Sequence, residues 1–455
     1  MSRSVSINPA TGEKIAEHER LTASAISQKI ELSAQSFKDW RNRSFEERAE
    51  RMHQLADVLE AHKEEYALLA TNEMGKIIGQ SRKEIEKCAW VCRYYADHAE
   101  QFLCDEPVTT NASKSYVTYQ PMGVILAVMP WNFPFYQVIR FAAPAIMAGN
   151  VGILKHASNV QGCAQVLEDL FLEAGFQKGI LTNLNISSDQ VSAVIEHPLI
   201  AAVTLTGSEA AGRSVGALAG KNIKKSVLEL GGSDAYLILE DADLEKAVDI
   251  ATFGRLQNNG QTCIAAKRFI VLEAIYNDFL QLFKEKMQAA KMGDPKDEQT
   301  YYGPLARVDL RDELHDQVQK SMAQGAQLLI GGQIPEGKGA YYPATILTEV
   351  KPGMEAFDNE LFGPVAAVIK AKDEAHAITL ANQSNFGLGA GVLTGNKTRG
   401  EKIALQLDAG NCFVNTLVAS DPRLPFGGIK NSGYGRELSA HGIREFMNVK
   451  TIWVA

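Results

Sequence analysis

The chain has 455 residues, is 45% hydrophobic, and sets 46 basic against 54 acidic residues for a net charge of −8. That length suits two or three domains rather than a small stapled module. An acidic balance with no basic block excludes the electrostatic footprint of a nucleic-acid or anionic-membrane binder, so a small-molecule substrate is expected.

The N-terminal stretch MSRSVSINPATGEK holds no apolar leader, and no later run reaches the roughly 18 apolar residues of a membrane span. A cytoplasmic protein is expected. From residue 44, SFEERAERMHQLADVLEAHKEEYALLATNEMG opens with a capping box, Ser44 and Glu47, and carries Met52, Leu55, Leu59 and Tyr66 near helical spacing. This predicts one long amphipathic helix that stops at Gly75. From 121 the texture changes to short apolar runs, GVILAVMP, NVGILKHA, AAVTLTGS and SVLELGGS, separated by helical patterns such as NVQGCAQVLEDLFLEAG. Such alternation argues a parallel sheet covered on both faces. A second set follows residue 260, with KRFIVLE, AQLLIGG, GPVAAVIKA, GAGVLTG and GNCFVN, so two α/β units are expected with Glu229 and Gly231-Gly232 near their junction. SKSYVTYQ and the terminal VKTIWVA alternate like strands but belong to neither unit, and read as edge strands that need a partner.

Two α/β units with a cleft between them suggest a cofactor on one and chemistry at the junction. In LTGSEAAGRSVGALA, Gly207 stands at a strand exit, Ser208 follows it, and Gly212 lies five residues on with a helix beyond. A helix N-terminus of this kind favours an anion such as a pyrophosphate, although a glycine turn can also serve geometry alone. The six cysteines, at 88, 92, 104, 163, 263 and 412, show neither metal-ligand spacing nor a disulfide framework, so reduced thiols and no metal are expected. Cys263 differs from the rest: in LQNNGQTCIAAKRFIVLE it ends a polar, glycine-containing turn just before a strand, whereas the others sit in helical or strand patterns. Those surroundings favour a reactive thiol over a packed one.

Seven segments occur in order, MPWNFPFYQVIR, ILKHAS, TLTGSEAAG, LELGGSD, NNGQTCIAAKRF, NELFGPV and LPFGGIKNSGYGRE, and together they resemble the NAD(P)-dependent aldehyde dehydrogenase superfamily across essentially the whole chain. The nearest resemblance is to succinate semialdehyde dehydrogenases of a short bacterial type carrying SDPRLPFGG. It implies an α/β fold of the aldehyde dehydrogenase kind. A Rossmann-like cofactor domain would span 1–108 and 121–230, a catalytic domain 231–430, and a small β bridging segment 109–120 and 431–455. The bridging strands imply a homodimer or homotetramer.

The resemblance also implies roles. Cys263 matches the nucleophile that adds to an aldehyde, because hydride leaves readily only from a tetrahedral adduct bearing an oxyanion. Asn132 matches the donor that steadies that oxyanion together with the Cys263 backbone N–H. Glu229 matches the base that activates water against the resulting thioester. Members that hand their acyl group to coenzyme A resemble one another in lacking that glutamate, so water is the implied acceptor and the oxidation is practically irreversible. Lys155 matches a contact to the adenosine ribose, Glu360 a contact to the nicotinamide ribose, and Trp131 and Phe362 the wall beside the nicotinamide. Ser158 stands where many NAD-preferring relatives carry glutamate, so NADP is expected as the preferred cofactor and NAD as the poorer one. His156 replaces a proline often found there.

For the substrate, Arg140, eight residues after Asn132 on the same predicted helix, matches a carboxylate anchor of succinate semialdehyde dehydrogenases; its alternative is a surface arginine in a local ion pair. Gln257 stands where some relatives place a second arginine. Ser420 suits either a hydroxyl donor to the same carboxylate or a loop cap. The expected reaction is therefore succinate semialdehyde to succinate, with a broader aliphatic or aromatic aldehyde dehydrogenase as the alternative. A thiol esterase would leave Lys155, Glu360 and the glycine turn unexplained, and a catalytically dead relative would not need nucleophile, base and oxyanion donor together.

Overall fold

The computed structural model describes residues 3–455. Its frame is two sheets whose strands are apolar on both faces. In the first, Lys225–Glu229, Ile200–Thr206, Val124–Val128, Val151–Lys155 and Leu181–Asn183 lie side by side in parallel, with Gly433–Tyr434 added antiparallel at one edge. The chain builds outward from Val124–Val128 in one direction and then returns to build in the other. The order therefore reverses between Val124–Val128 and Ile200–Thr206, and a crevice opens beyond the carboxyl ends of those two strands. The segments leaving them carry Trp131-Asn132 and Gly207-Ser208.

The second sheet runs Gln327–Ile330, Thr345–Thr348, Val365–Ala371, Ala266–Leu272, Asp234–Ile238, Gly389–Leu393 and Asn411–Val414, parallel except for its first strand. Side chains alternate between faces along a strand. Tyr236 and Ile238 accordingly enter one apolar core, while Ala235 and Leu237 enter another. Helices cover both faces, which explains why these strands read as nearly continuous apolar runs.

Two expectations change. The long helix from Ser44 is two helices, Phe45–Ala61 and Lys63–Met74, with the backbone bent at His62 (φ −101°, ψ 17°). The bend lets Tyr66 stack on Phe135 at 5.6 Å, a tertiary contact with no local signal. The capping box forms, Ser44 Oγ accepting from Glu47 N at 3.1 Å and Glu47 Oε2 from Ser44 N at 2.8 Å, and Gly75 ends the second helix at φ 80°. Lys114–Pro121 and Met447–Val454, though isolated in sequence, pair with each other antiparallel along their whole length. Glu106–Pro107 covers one edge of that ribbon, and the outer strand leaves Val449, Trp453 and Val454 exposed. Among the described residues, no helix is long and apolar enough to cross a membrane.

Candidate active site

Cys263 is presented by a turn whose shape two asparagines set. After the helix Leu244–Leu256, Asn258 (φ 51°) and Asn259 (φ 58°) adopt left-handed conformations, which asparagine tolerates better than most residues. Their amides lock the turn. Asn259 Nδ2 donates to the carbonyls of Gly75 and Pro304, and its Oδ1 accepts from Gly303 N. Asn258 Nδ2 donates to the carbonyls of Asn132 and Gln261, joining the Cys263 turn to the Asn132 segment. Buried Lys267 donates to the carbonyls of Thr262 (3.0 Å) and Cys263 (2.6 Å) and pairs with Glu360 Oε1 at 3.0 Å. Glu360 Oε1 also accepts from Gly232 N at 3.1 Å. A Cβ at Gly231 would collide with Glu360, and one at Gly232 would lie 2.8 Å from the Cys263 carbonyl, so this pair of glycines permits both approaches.

Asn132 lies in the turn before the helix Tyr136–Met147, and only Arg140 lies on that helix. The two do not share an element because Pro134 follows Phe133, and the residue before proline is turned away from helical backbone. Glu84 holds the turn from outside: paired with buried Lys76, it accepts through Oε1 from the N–H groups of Phe135 and Tyr136. Asn132 Nδ2 donates to the Gln261 carbonyl at 3.0 Å, leaving the amide's second proton to point elsewhere.

Two cavities meet at this point. One, of about 390 Å³, is lined by Trp131, Asn132, Gly207, Ser208, Glu360 and Phe362, with the Trp131 and Phe362 rings edge to face at 5.8 Å. The other, of about 190 Å³, is lined by Lys87, Tyr136, Arg140, Gln257, Ser420 and Phe426. Cys263 and Gln137 are common to both. Glu229 lies behind the wall, 2% exposed, at the end of its strand and against Gly427. Neither of its carboxyl oxygens has a hydrogen-bond partner among the described residues.

Burial raises the pKa of both Cys263 and Glu229. Burial pushes the Cys263 thiol up to about 12, against the pull of Arg140 and Lys267. The polar turn therefore does not deliver a standing thiolate. Burial, and then the neighbouring Glu437, raise Glu229 well above the ordinary carboxylate range, with Arg140 and Arg436 opposing. Arg140 is 2% exposed and pairs through Nε with Glu437 Oε2 at 2.5 Å, so its ion pair is buried rather than on the surface.

Lys155 ends its strand, lowered by burial and by nearby Arg20, with exposed Ser158 just beyond; both lie outside the two cavities. Burial lowers His156 to about 4, so it is neutral: Nε2 donates to the Pro134 carbonyl at 2.8 Å while Nδ1 accepts from Ala157 N. It thus ties the Asn132 turn to the Lys155 turn. Ser208 caps the helix Glu209–Lys221, accepting from Ala211 N at 3.4 Å. Gly212 lies inside that helix, where a Cβ would sit 2.6 Å from Leu230, so its smallness serves packing.

Residues 2–452 match the aldehyde dehydrogenase family. The chain belongs to that family. It is 49% identical over 452 residues to a succinate semialdehyde dehydrogenase [NAD(P)+] of Escherichia coli strain K12, covering 99% of this chain and 98% of the relative. Identity is also 49% over 452 residues to a succinate-semialdehyde dehydrogenase [NADP(+)] of Mycobacterium bovis strain BCG, covering 99% of each. Among solved structures, a succinic semialdehyde dehydrogenase of Streptococcus pyogenes in complex with NADP+ superposes with a TM-score of 0.97, at 40% identity and 99% coverage of each chain. The fold is thus that of an aldehyde dehydrogenase. In this aldehyde dehydrogenase, sequence reasoning did not single out Lys87, Tyr136, Gln137, Lys267 or Glu437. Lys87 did leave a trace: with Glu84, Val91 and Tyr95 it follows spacings of three, four and four on the helix Ile78–Phe102, a lysine in a stripe of buried positions.

Proposed function

We propose that this aldehyde dehydrogenase oxidises succinate semialdehyde to succinate, with NADP+ the preferred hydride acceptor and NAD+ a poorer one. The observation that carries the proposal is the placing of Cys263 at the junction of an aromatic, carboxylate-bearing cavity and a smaller basic one. The names of the relatives, at 49% identity over nearly their whole length, point to the same substrate and cofactor.

The larger cavity fits the nicotinamide end of a dinucleotide. Gly207 lies at the N-terminus of a 13-residue helix, and a Cβ there would meet nothing closer than 3.6 Å, so the chain's own packing does not demand a glycine. Lys267 and Gly232 N both take Glu360 Oε1, so the second carboxylate oxygen is the one a ribose hydroxyl would use. Trp131 and Phe362 would flank the nicotinamide half, and Lys155 and Ser158 the adenosine ribose. When bound, the cofactor supplies the acceptor for hydride.

The chain's residues do the rest. Cys263 Sγ gives its proton to water in the cavity and forms a bond to the aldehyde carbon, whose C=O π pair moves onto the oxygen. The carbonyl oxygen becomes an oxyanion facing the free Asn132 amide proton and the Cys263 N–H. Collapse of that adduct leaves a thioester on Cys263. Glu229, in its ionised form, takes a proton from water as the water attacks the thioester carbonyl; the C–S bond then breaks, the proton passes to the departing sulfur, and the carboxylic acid leaves with the thiol regenerated. Arg140, Gln257 and Ser420 line the cavity that would take the rest of the substrate.

The test is reduced-cofactor absorbance with purified protein, comparing succinate semialdehyde with butanal under NADP+ and NAD+. A clear preference for the acidic aldehyde is expected. Equal specificity constants for the two would favour the broad aldehyde dehydrogenase instead, and acid formation with no reduced cofactor would favour an esterase. Cofactor choice has its own check: Ser158→Glu puts a carboxylate where a 2′-phosphate would lie, and should move the ratio of specificity constants toward NAD+ by about tenfold or more, roughly 1.4 kcal/mol. No movement would remove Ser158 from the ribose.

The ranges 1–108 and 121–230 are assigned to cofactor binding, 231–430 to catalysis, and 109–120 with 431–455 to bridging between subunits of a homodimer or homotetramer. Support for the last comes from the ribbon's outer strand, whose open edge and exposed Trp453 would otherwise invite uncontrolled pairing.

A further inference from the structure

We infer that Lys87 is the cation that receives the far carboxylate of the substrate, with Ser420 as its hydrogen-bonding partner and Arg140 held behind. The inference rests on the acidic aldehyde of the functional reading and names the group that selects it. Arg140 is partly committed already. Its guanidinium is paired with Glu437 and stacked 4.9 Å from the centre of the Phe426 ring, so the pair brings little net charge to the cavity.

Lys87 is different. It lines the same small cavity as Cys263, partly buried, with Nζ donating to Ser420 Oγ at 2.7 Å and lying 4.6 Å from the centre of the Tyr136 ring. Tyr136 Oη shares the same Ser420 hydroxyl at 2.8 Å, which fixes the group from both sides. The nearby acids are already engaged. Asp421 pairs with Arg423 at 2.5 Å, and Glu84 is held by Lys76 and two backbone N–H groups. Among the described residues, no carboxylate lies within ion-pair distance of Lys87. An ammonium withdrawn from water without a counter-ion is costly, and burial with the adjacent Arg140 lowers Lys87 to about 8. A substrate carboxylate entering this cavity would supply the missing charge while its aldehyde end lies toward Cys263.

The experiment compares wild type with Lys87→Met, Lys87→Gln and Lys87→Arg, measuring kcat and KM for succinate semialdehyde and for butanal, and inhibition by succinate. Lys87→Met should lower kcat/KM for the semialdehyde by about 30-fold or more, mainly through KM, because the carboxylate is then buried without its cation. The loss on butanal should be at least about tenfold smaller, succinate inhibition should weaken in parallel, and Lys87→Arg should recover much of both. Lys87→Gln, which keeps a hydrogen-bond donor near Ser420, repeats the test should the methionine variant fold poorly. A variant that keeps the wild-type preference and succinate inhibition would overturn the role of Lys87 alone, as would equal losses on both aldehydes. A wild type that does not prefer the acidic aldehyde would instead overturn the functional reading, and this inference with it.

Discussion

Cys263→Ala is expected to lower aldehyde oxidation at least about 10⁴-fold while leaving the fold and cofactor binding nearly intact. In the proposed reaction only the sulfur forms the adduct from which hydride leaves, so no residual route should pass through cofactor reduction. The scaffold should not notice the change. What Lys267 grips is the Cys263 carbonyl, and what positions the turn is the pair Asn258 and Asn259, all of which an alanine preserves. The side chain lines the two cavities and packs only partly against the core. Reduced-cofactor absorbance and a thermal melt decide the matter; near-wild-type turnover by the purified variant would end the assignment.

Glu229→Gln should separate the two halves of the reaction. Hydride release should still occur once per site, after which steady-state turnover should fall by about 10²–10⁴-fold as thioester accumulates. The glutamine keeps the shape of the buried carboxyl and removes only its capacity to take a proton. Stability supports the same test. A carboxyl whose pKa is raised in the fold binds more protons folded than unfolded, so stability falls as pH rises above the ordinary value of 4.5 toward the raised one. The glutamine removes that loss, and the variant should melt no lower than wild type at neutral pH. Unimpaired steady-state turnover would sink the role of Glu229 as base, and loss of the burst as well would mean that it also takes the thiol proton.

Sequence carried most of the sheet architecture because a strand buried on both faces leaves an apolar run, as in Ala266–Leu272 and Val365–Ala371. It carried the Ser44 capping box because that device is four residues long. It missed the bend at His62, and it joined Lys114–Pro121 and Met447–Val454 in one bridging segment only through the resemblance, because the two strands, which pair with each other, are more than 300 residues apart. The same holds at the site. Cys263 and Asn132 stand in local turns with their own signatures, whereas the state of Arg140 depends on Glu437, 297 residues on, and that of Lys87 on Ser420, 333 residues on. Charge tells which residues can bind an anion; only the packed structure tells which of them is still free to do so.

The meeting of two cavities at one sulfur also bears on how such an enzyme can change over generations. Residues that would grade aldehydes, such as Lys87 and Ser420, and residues that would grade dinucleotides, such as Glu360 and Phe362, stand on separate surfaces that share Cys263 and Gln137. Substitutions on one surface therefore leave the other largely untouched, and their effects should add. A lineage can exchange its substrate while keeping its cofactor, or the reverse, without rebuilding the reactive centre.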